Sequence, residues 1–186
     1  MPSKPFDSVD AASLRWMRRS ESELQFDLLA GDEPVASMAW KAGSGTVTTA
    51  GSAWTVRRAG FLNPTVVVHP EGSEKVVARL SVHWHVHRIE VTGGPVYRFH
   101  RAGLLLPAWQ VTTEDGREIL HIEPVREGRR LVGGAVIAPP EVPRLPEFPL
   151  LLAISWCFIV LAWFEDEALV PLEGDDAPAG AGTRAA

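Results

Sequence analysis

Cysteine is nearly missing from this chain: Cys157 is the only one among 186 residues. That excludes an intrachain disulfide and any zinc knuckle built on thiolates. Cys157 stands between Trp156 and Phe158 in the most apolar stretch of the sequence, a setting for a small buried hydrophobe rather than a reactive thiolate. The common catalytic signatures are missing too. There is no G-x-S-x-G elbow, no G-x-G-x-x-G and no G-x-x-x-x-G-K-[ST], so a hydrolase nucleophile, a dinucleotide site and a P-loop lack support. Glu118, Glu123 and Glu127 are scattered acids without a paired geometry. An excess of positive charge is also lacking. Lys plus Arg is 18 against 23 for Asp plus Glu, a formal net of −5, which argues against a large nucleic-acid footprint. The opening MPSKPFDSVD has no apolar core of a secretory signal, so the expected location is the cytoplasm, with peripheral membrane association compatible. No cofactor is expected.

What is present is enough apolar material for one core. Hydrophobic residues make up 46% and charged residues 22%. A chain of this length buries roughly 70% of its extended surface, which favours one domain. Residues 1–12 read as a flexible N-terminal arm, 13–167 as a single domain and 168–186 as a flexible acidic tail.

Within that domain the dominant signal is alternation of period two. Leu24–Leu28, Val35–Lys41, Thr46–Ala50, Trp54–Ala59, Thr65–His69, Val96–His100, Leu104–Thr113 and Glu118–Ile122 read as strands punctuated by Gly, Pro, Asn and Asp. Val76–Leu80 and Ser81–Val91 read as one long bent strand or as two. That gives nine or ten strands, with connections too short for βαβ crossovers. Leu131–Ala138 is a short apolar piece suited to one more. The sheet is therefore antiparallel, and so many short strands curl strongly or close into a barrel.

Leu150 to Phe164 carries no charge and shows no polar face, with Pro149 placed for a first helical turn. The acids Glu165-Asp166-Glu167 are expected to end it. Fifteen residues make about 22 Å of helix, shorter than the bilayer core of about 30 Å. A helix near 149–164 enclosed by the sheet fits that length better than a lipid anchor, although a C-terminal membrane anchor is the other solvent open to it.

A meander of short strands ending in one wholly apolar helix resembles the tubby C-terminal-like superfamily, which includes tubby domains, LURP-one-related proteins and phospholipid scramblases. The resemblance rests on Leu24–Ile137 and Leu150–Phe164. It implies a closed antiparallel β-barrel wrapped around a hydrophobic C-terminal helix. Tubby domains bind phosphoinositide head groups through clustered basic residues. Scramblase-like proteins carry cysteine-rich palmitoylation stretches, which this chain lacks.

Three candidate sites follow from residue types. Arg15, Arg18 and Arg19 form one basic cluster, and Arg126, Arg129 and Arg130 form another. Guanidinium forks suit phosphate or anionic lipid, so these six are the expected ligand-binding residues. The expected partner is an anionic membrane surface or another protein. The third candidate is His83, His85 and His87. On a straight strand these would form one outward row, with Val82, Trp84 and Val86 facing the core. The first and third would lie about 13 Å apart. A metal-dependent enzyme built on that row would need a further ligand such as His69, His100, His121, Glu90 or Glu123. The overall expectation is a non-catalytic binding or regulatory module, with that metal enzyme as the alternative. Trp16, Trp40, Trp54, Trp84 and Trp109 are expected to pack in the core or barrel wall.

Overall fold

In the computed structural model the described residues are 6, 9, 14–20, 22–41, 43–59, 65–82, 86–103 and 108–168, the last five of these through their backbone only. Twelve strands follow one another: β1 (Leu14–Arg18), β2 (Leu24–Ala30), β3 (Glu33–Lys41), β4 (Ser44–Thr49), β5 (Ala53–Ala59), β6 (Thr65–Pro70), β7 (Ala78–Ser81), β8 (His87–Val91), β9 (Val96–Ala102), β10 (Ala108–Thr113), β11 (Glu118–Glu127) and β12 (Arg130–Ile137). Each pairs antiparallel with its neighbour in sequence, and β12 pairs with β1 to close the barrel. The alternation seen in sequence is thus the inward and outward face of one wall: Phe26 and Leu28 point in on β2, Val66 and Val68 on β6, and all four are buried.

Closure adds a strand beyond the meander that begins at Leu24. Leu14–Arg18 alternates buried and exposed, with Trp16 facing in and Arg15 and Met17 facing out. Its register places Trp16 opposite Gly134 and Met17 opposite Gly133. Two small residues are required there. A side chain on Gly133 would collide with the Trp16 carbonyl, and one on Gly134 would meet the Trp156 ring at 2.9 Å. The closing strands can approach only because β12 is bare at this point.

The helix α1 (Phe148–Ala168) enters after a short 3-10 turn at Val142–Arg144 and fills the barrel. It does not stop at the acids: it runs through Glu165-Asp166-Glu167 to Ala168, longer than the expected 149–164. Leu151, Leu152, Ala153, Ile154, Trp156, Cys157, Ile159 and Val160 are all at most 2% exposed. That explains a helix without a polar face: the surrounding wall removes every side from water, at about 1.5–3 kcal/mol gross for each large side chain. Trp156 anchors the contact, stacked on Trp16 at 5.3 Å and edge-on to Phe26 at 5.4 Å. Among the described residues no helix is long and apolar enough to cross a membrane.

β7 and β8 settle the two alternatives for 76–91. Ser81 pairs with Arg88 and Leu80 with Ile89, so the chain reverses between them and forms a hairpin rather than one bent strand.

Candidate functional site: the helix-exit end of the barrel

An up-and-down barrel sorts its connections by end. The hairpins β1–β2, β3–β4, β5–β6, β7–β8, β9–β10 and β11–β12 all turn at one end, and the others turn at the opposite end, where α1 enters. α1 leaves through the first of these. Trp163 Nε1 donates to the Arg129 carbonyl at 2.9 Å, and the Arg126 guanidinium lies 4.6 Å over the Trp163 ring.

This end gathers the two arginine clusters that the sequence separates by about a hundred residues. Arg18 ends β1 and Arg130 begins β12 alongside it. Arg18 Nη1 donates to the Leu131 carbonyl at 3.3 Å, a contact across 113 positions. Counting the last two residues of each strand at the helix-exit end, the bases are Arg18, Lys41, Arg58, Arg88, Arg101, Arg126 and Arg130, and the acid is Glu127; Arg88 is paired with Glu114 at 3.2 Å and with Glu90, and so adds nothing to the charge of this end. At the helix-entry end the same count gives Arg15 and Arg79 against Glu33, Glu90 and Glu118. The entry-end turns add Asp32, Glu71, Glu74, Glu114 and Asp115 against Lys75 and Arg117.

The six predicted arginines are not equivalent. Arg15 faces the outer wall nearer the entry end and pairs with exposed Asp32 at 2.9 Å. Arg18 is held by the Ser20, Glu23 and Leu131 carbonyls and lies over Phe26. Arg19 grips both oxygens of Asp27, with Nε at 2.8 Å. The hydrogen bond and charge of Asp27 raise the Arg19 pKa beyond its already high range. Arg126 is stacked on Trp163, and Arg129 is exposed on the tight turn. The structure therefore brings five of the six to the exit end. Of these five, Arg19, Arg126 and Arg129 are exposed, and Arg18 and Arg130 are half-buried.

A β-bulge shapes this side. Val125 pairs with Gly133 but Arg126 pairs with Leu131, leaving Val132 as the extra residue. The bulge lets Arg126 reach Trp163 while Val125 stays on the outer wall, 50% exposed. With Met17 on the other side of bare Gly133, Val125 borders an apolar groove of about 260 Å³ that includes Arg15, Val132 and Ala135. The sequence pointed to the arginines of β1 but missed Met17 between them. Reading β1 as a strand puts Arg15 and Met17 on one outward face.

Of the predicted histidine row, only His87 is among the described residues. His83 and His85 lie outside the described residues. His87 opens β8 on its inward face, 4.8 Å from Phe158 and 5.9 Å from Trp109, while Val86 is 42% exposed. Residues 78 and 80 face in on β7 and 87, 89 and 91 face in on β8, so His87 lies on the inward face and not the outward one expected for it. Of the proposed helper ligands, His121 is bound by Glu123 at 3.1 Å and by Gln110 at 3.2 Å on the outer wall. Among the described residues no three His, Cys, Asp or Glu side chains gather as a metal group. Cys157 is enclosed, and burial pushes its thiol pKa far above the ordinary range, opposite to what a nucleophile needs.

Comparison of the chain with protein-family models, with curated proteins and with solved structures finds no match.

Proposed function

We propose that this protein is a non-catalytic binding module whose helix-exit end docks on an anionic membrane surface. The observation that carries the proposal is the convergence of Arg18, Arg19, Arg126, Arg129 and Arg130 on one end, while the turns of the opposite end are acidic. Such a charge separation orients a barrel at a negative surface even when the whole chain is acidic, because the near end is felt within a Debye length of about 8–10 Å. Lipid head groups attract basic side chains by about 1 kcal/mol each near the surface. The resemblance to tubby-like barrels supports the same class of ligand. Arg126, Arg129 and Arg130 are assigned as the contact residues. Arg18 and Arg19 hold the rim through Leu131 and Asp27.

Flotation with full-length protein tests this. Vesicles containing phosphatidylserine should carry the protein at low salt and release it at high salt, and neutral phosphatidylcholine vesicles should not carry it. Reversing Arg126 and Arg129 to Glu should abolish flotation. Binding that survives both reversals removes the assignment.

A further inference from the structure

Of the four large apolar side chains exposed among the described residues, three stand together on one outer face of the barrel: Met17 on β1, Ile137 on β12 and Val125 on β11. These strands are neighbours in the wall, with β12 in the middle. β4 and β8 show the ordinary pattern instead, with Thr46, Thr48, Arg88 and Glu90 turned to water.

The register orders this face in rows. In one row Met17, Gly133 and Val125 stand side by side, and bare Gly133 leaves the groove between the two apolar side chains. In the next outward row stand Arg15, Ala135 and Glu123. Ile137 and His121 follow. Arg15 and Glu123 are therefore opposite charges, each one strand spacing of about 4.8 Å to either side of Ala135. Neither is saturated within the chain. Arg15 pairs with Asp32, a carboxylate 99% exposed, where an ion pair contributes little. Glu123 meets His121 through Oε1, which leaves Oε2 for a second partner.

Opposite charges set evenly about an apolar centre are self-complementary, which is what a two-fold contact requires. We propose that this face is the interface of a homodimer whose two-fold axis runs along β12. Rotation about that axis exchanges the places of β1 and β11. Arg15 of each copy then faces Glu123 of the other, and Met17 of each packs beside Val125 of the other over the Gly133 groove. An axis across the strands would instead set Arg15 against Arg15. The axis along β12 keeps both exit ends on the same side of the pair. The apolar centre is only three strands wide, so the contact belongs to the small class below about 1,200 Å² in total, and its Kd should lie at roughly 1–100 µM.

This pairing does not depend on membrane docking, and its test uses no lipid. Sedimentation equilibrium of the full-length protein at about 5–500 µM and low salt should show monomer and dimer in exchange. Arg15→Glu alone and Glu123→Arg alone should each weaken the dimer about tenfold or more, because each sets two like-charged pairs across the contact. Val125→Asp should do the same by charging the apolar centre. Mixed in equal amounts, the Arg15→Glu and Glu123→Arg proteins should associate about as tightly as wild type, since both cross-pairs are then opposite again. All three positions are exposed, and far-UV circular dichroism verifies that each variant is folded. Wild-type protein that stays monomeric over the whole range overturns the proposal. A dimer that any of the three substitutions leaves undiminished overturns it too, as does a mixture of the two charge reversals that fails to associate. None of these results bears on flotation, which tests membrane docking separately.

Discussion

The fit between Gly134 and Trp156 gives a prediction that depends on the enclosed helix and on nothing else. A methyl at position 134 would approach Trp156 Cζ3 to 2.9 Å and the Glu123 carbonyl to 3.1 Å. The indole has no room to swing away, since it is stacked on Trp16 with only 5° between the planes and stands edge-on to Phe26 at 79°. Gly134→Ala should therefore destabilise the barrel by about 1–3 kcal/mol as overpacking. Trp156→Phe removes the part of the ring that the methyl would strike and leaves a void, at a cost of roughly 1–3 kcal/mol. In the double variant the methyl fills part of that void. The combined loss should fall short of the sum of the two single losses by about 1 kcal/mol or more. The Glu123 contact is present in both backgrounds and drops out of the difference. Urea unfolding followed by far-UV circular dichroism measures all four proteins, because it does not rely on the tryptophan being changed. Additive losses, within about 0.3–0.5 kcal/mol, would refute the placement of Trp156 under β12.

Three further outcomes follow from buried groups and from charge. Ser155 is fully buried and its hydroxyl has no partner among the described residues, so Ser155→Ala should stabilise the protein by roughly 1 kcal/mol; a lower melting temperature would show that the hydroxyl is engaged. Burial raises the Cys157 pKa, so above about pH 8.5 the unfolded thiol loses a proton that the folded one keeps. The resulting stability is complete below that pH and lost above it. Wild type should therefore lose stability relative to Cys157→Ala between pH 8 and 10, and a difference that does not change with pH would refute this. Residues 165–186 hold six acids and one arginine; subtracting them from 23 and 18 leaves 17 of each sign in the rest of the chain. Replacing Glu173, Asp175 and Asp176 by their amides should raise partition onto phosphatidylserine vesicles by roughly threefold or more, and unchanged partition would show that these acids do not face the membrane.

Much of the wall was legible because alternation is local. Leu24-Gln25-Phe26-Asp27-Leu28 announces its inward face without knowledge of any partner strand. The candidate site was legible only in parts. Arg126, Arg129 and Arg130 were visible as a cluster, but Trp163 as the platform under Arg126 was not, since 37 positions separate them and neither neighbourhood points to the other. The inward face of His87 was illegible for a specific reason. Ser81–Val91 contains no glycine or proline to mark a turn, so the reversal between Ser81 and Arg88 left no sign in the sequence.

The sequence by itself determined the antiparallel wall and the helix that must be hidden from water. Both follow from the spacing of apolar residues along a few consecutive positions. Tertiary structure alone decided the closure of β1 on β12, the face to which His87 turns and the meeting of Arg18 with Leu131. Those depend on register between strands far apart in the chain, which is set by how side chains pack around one helix and not by the local pattern of any strand.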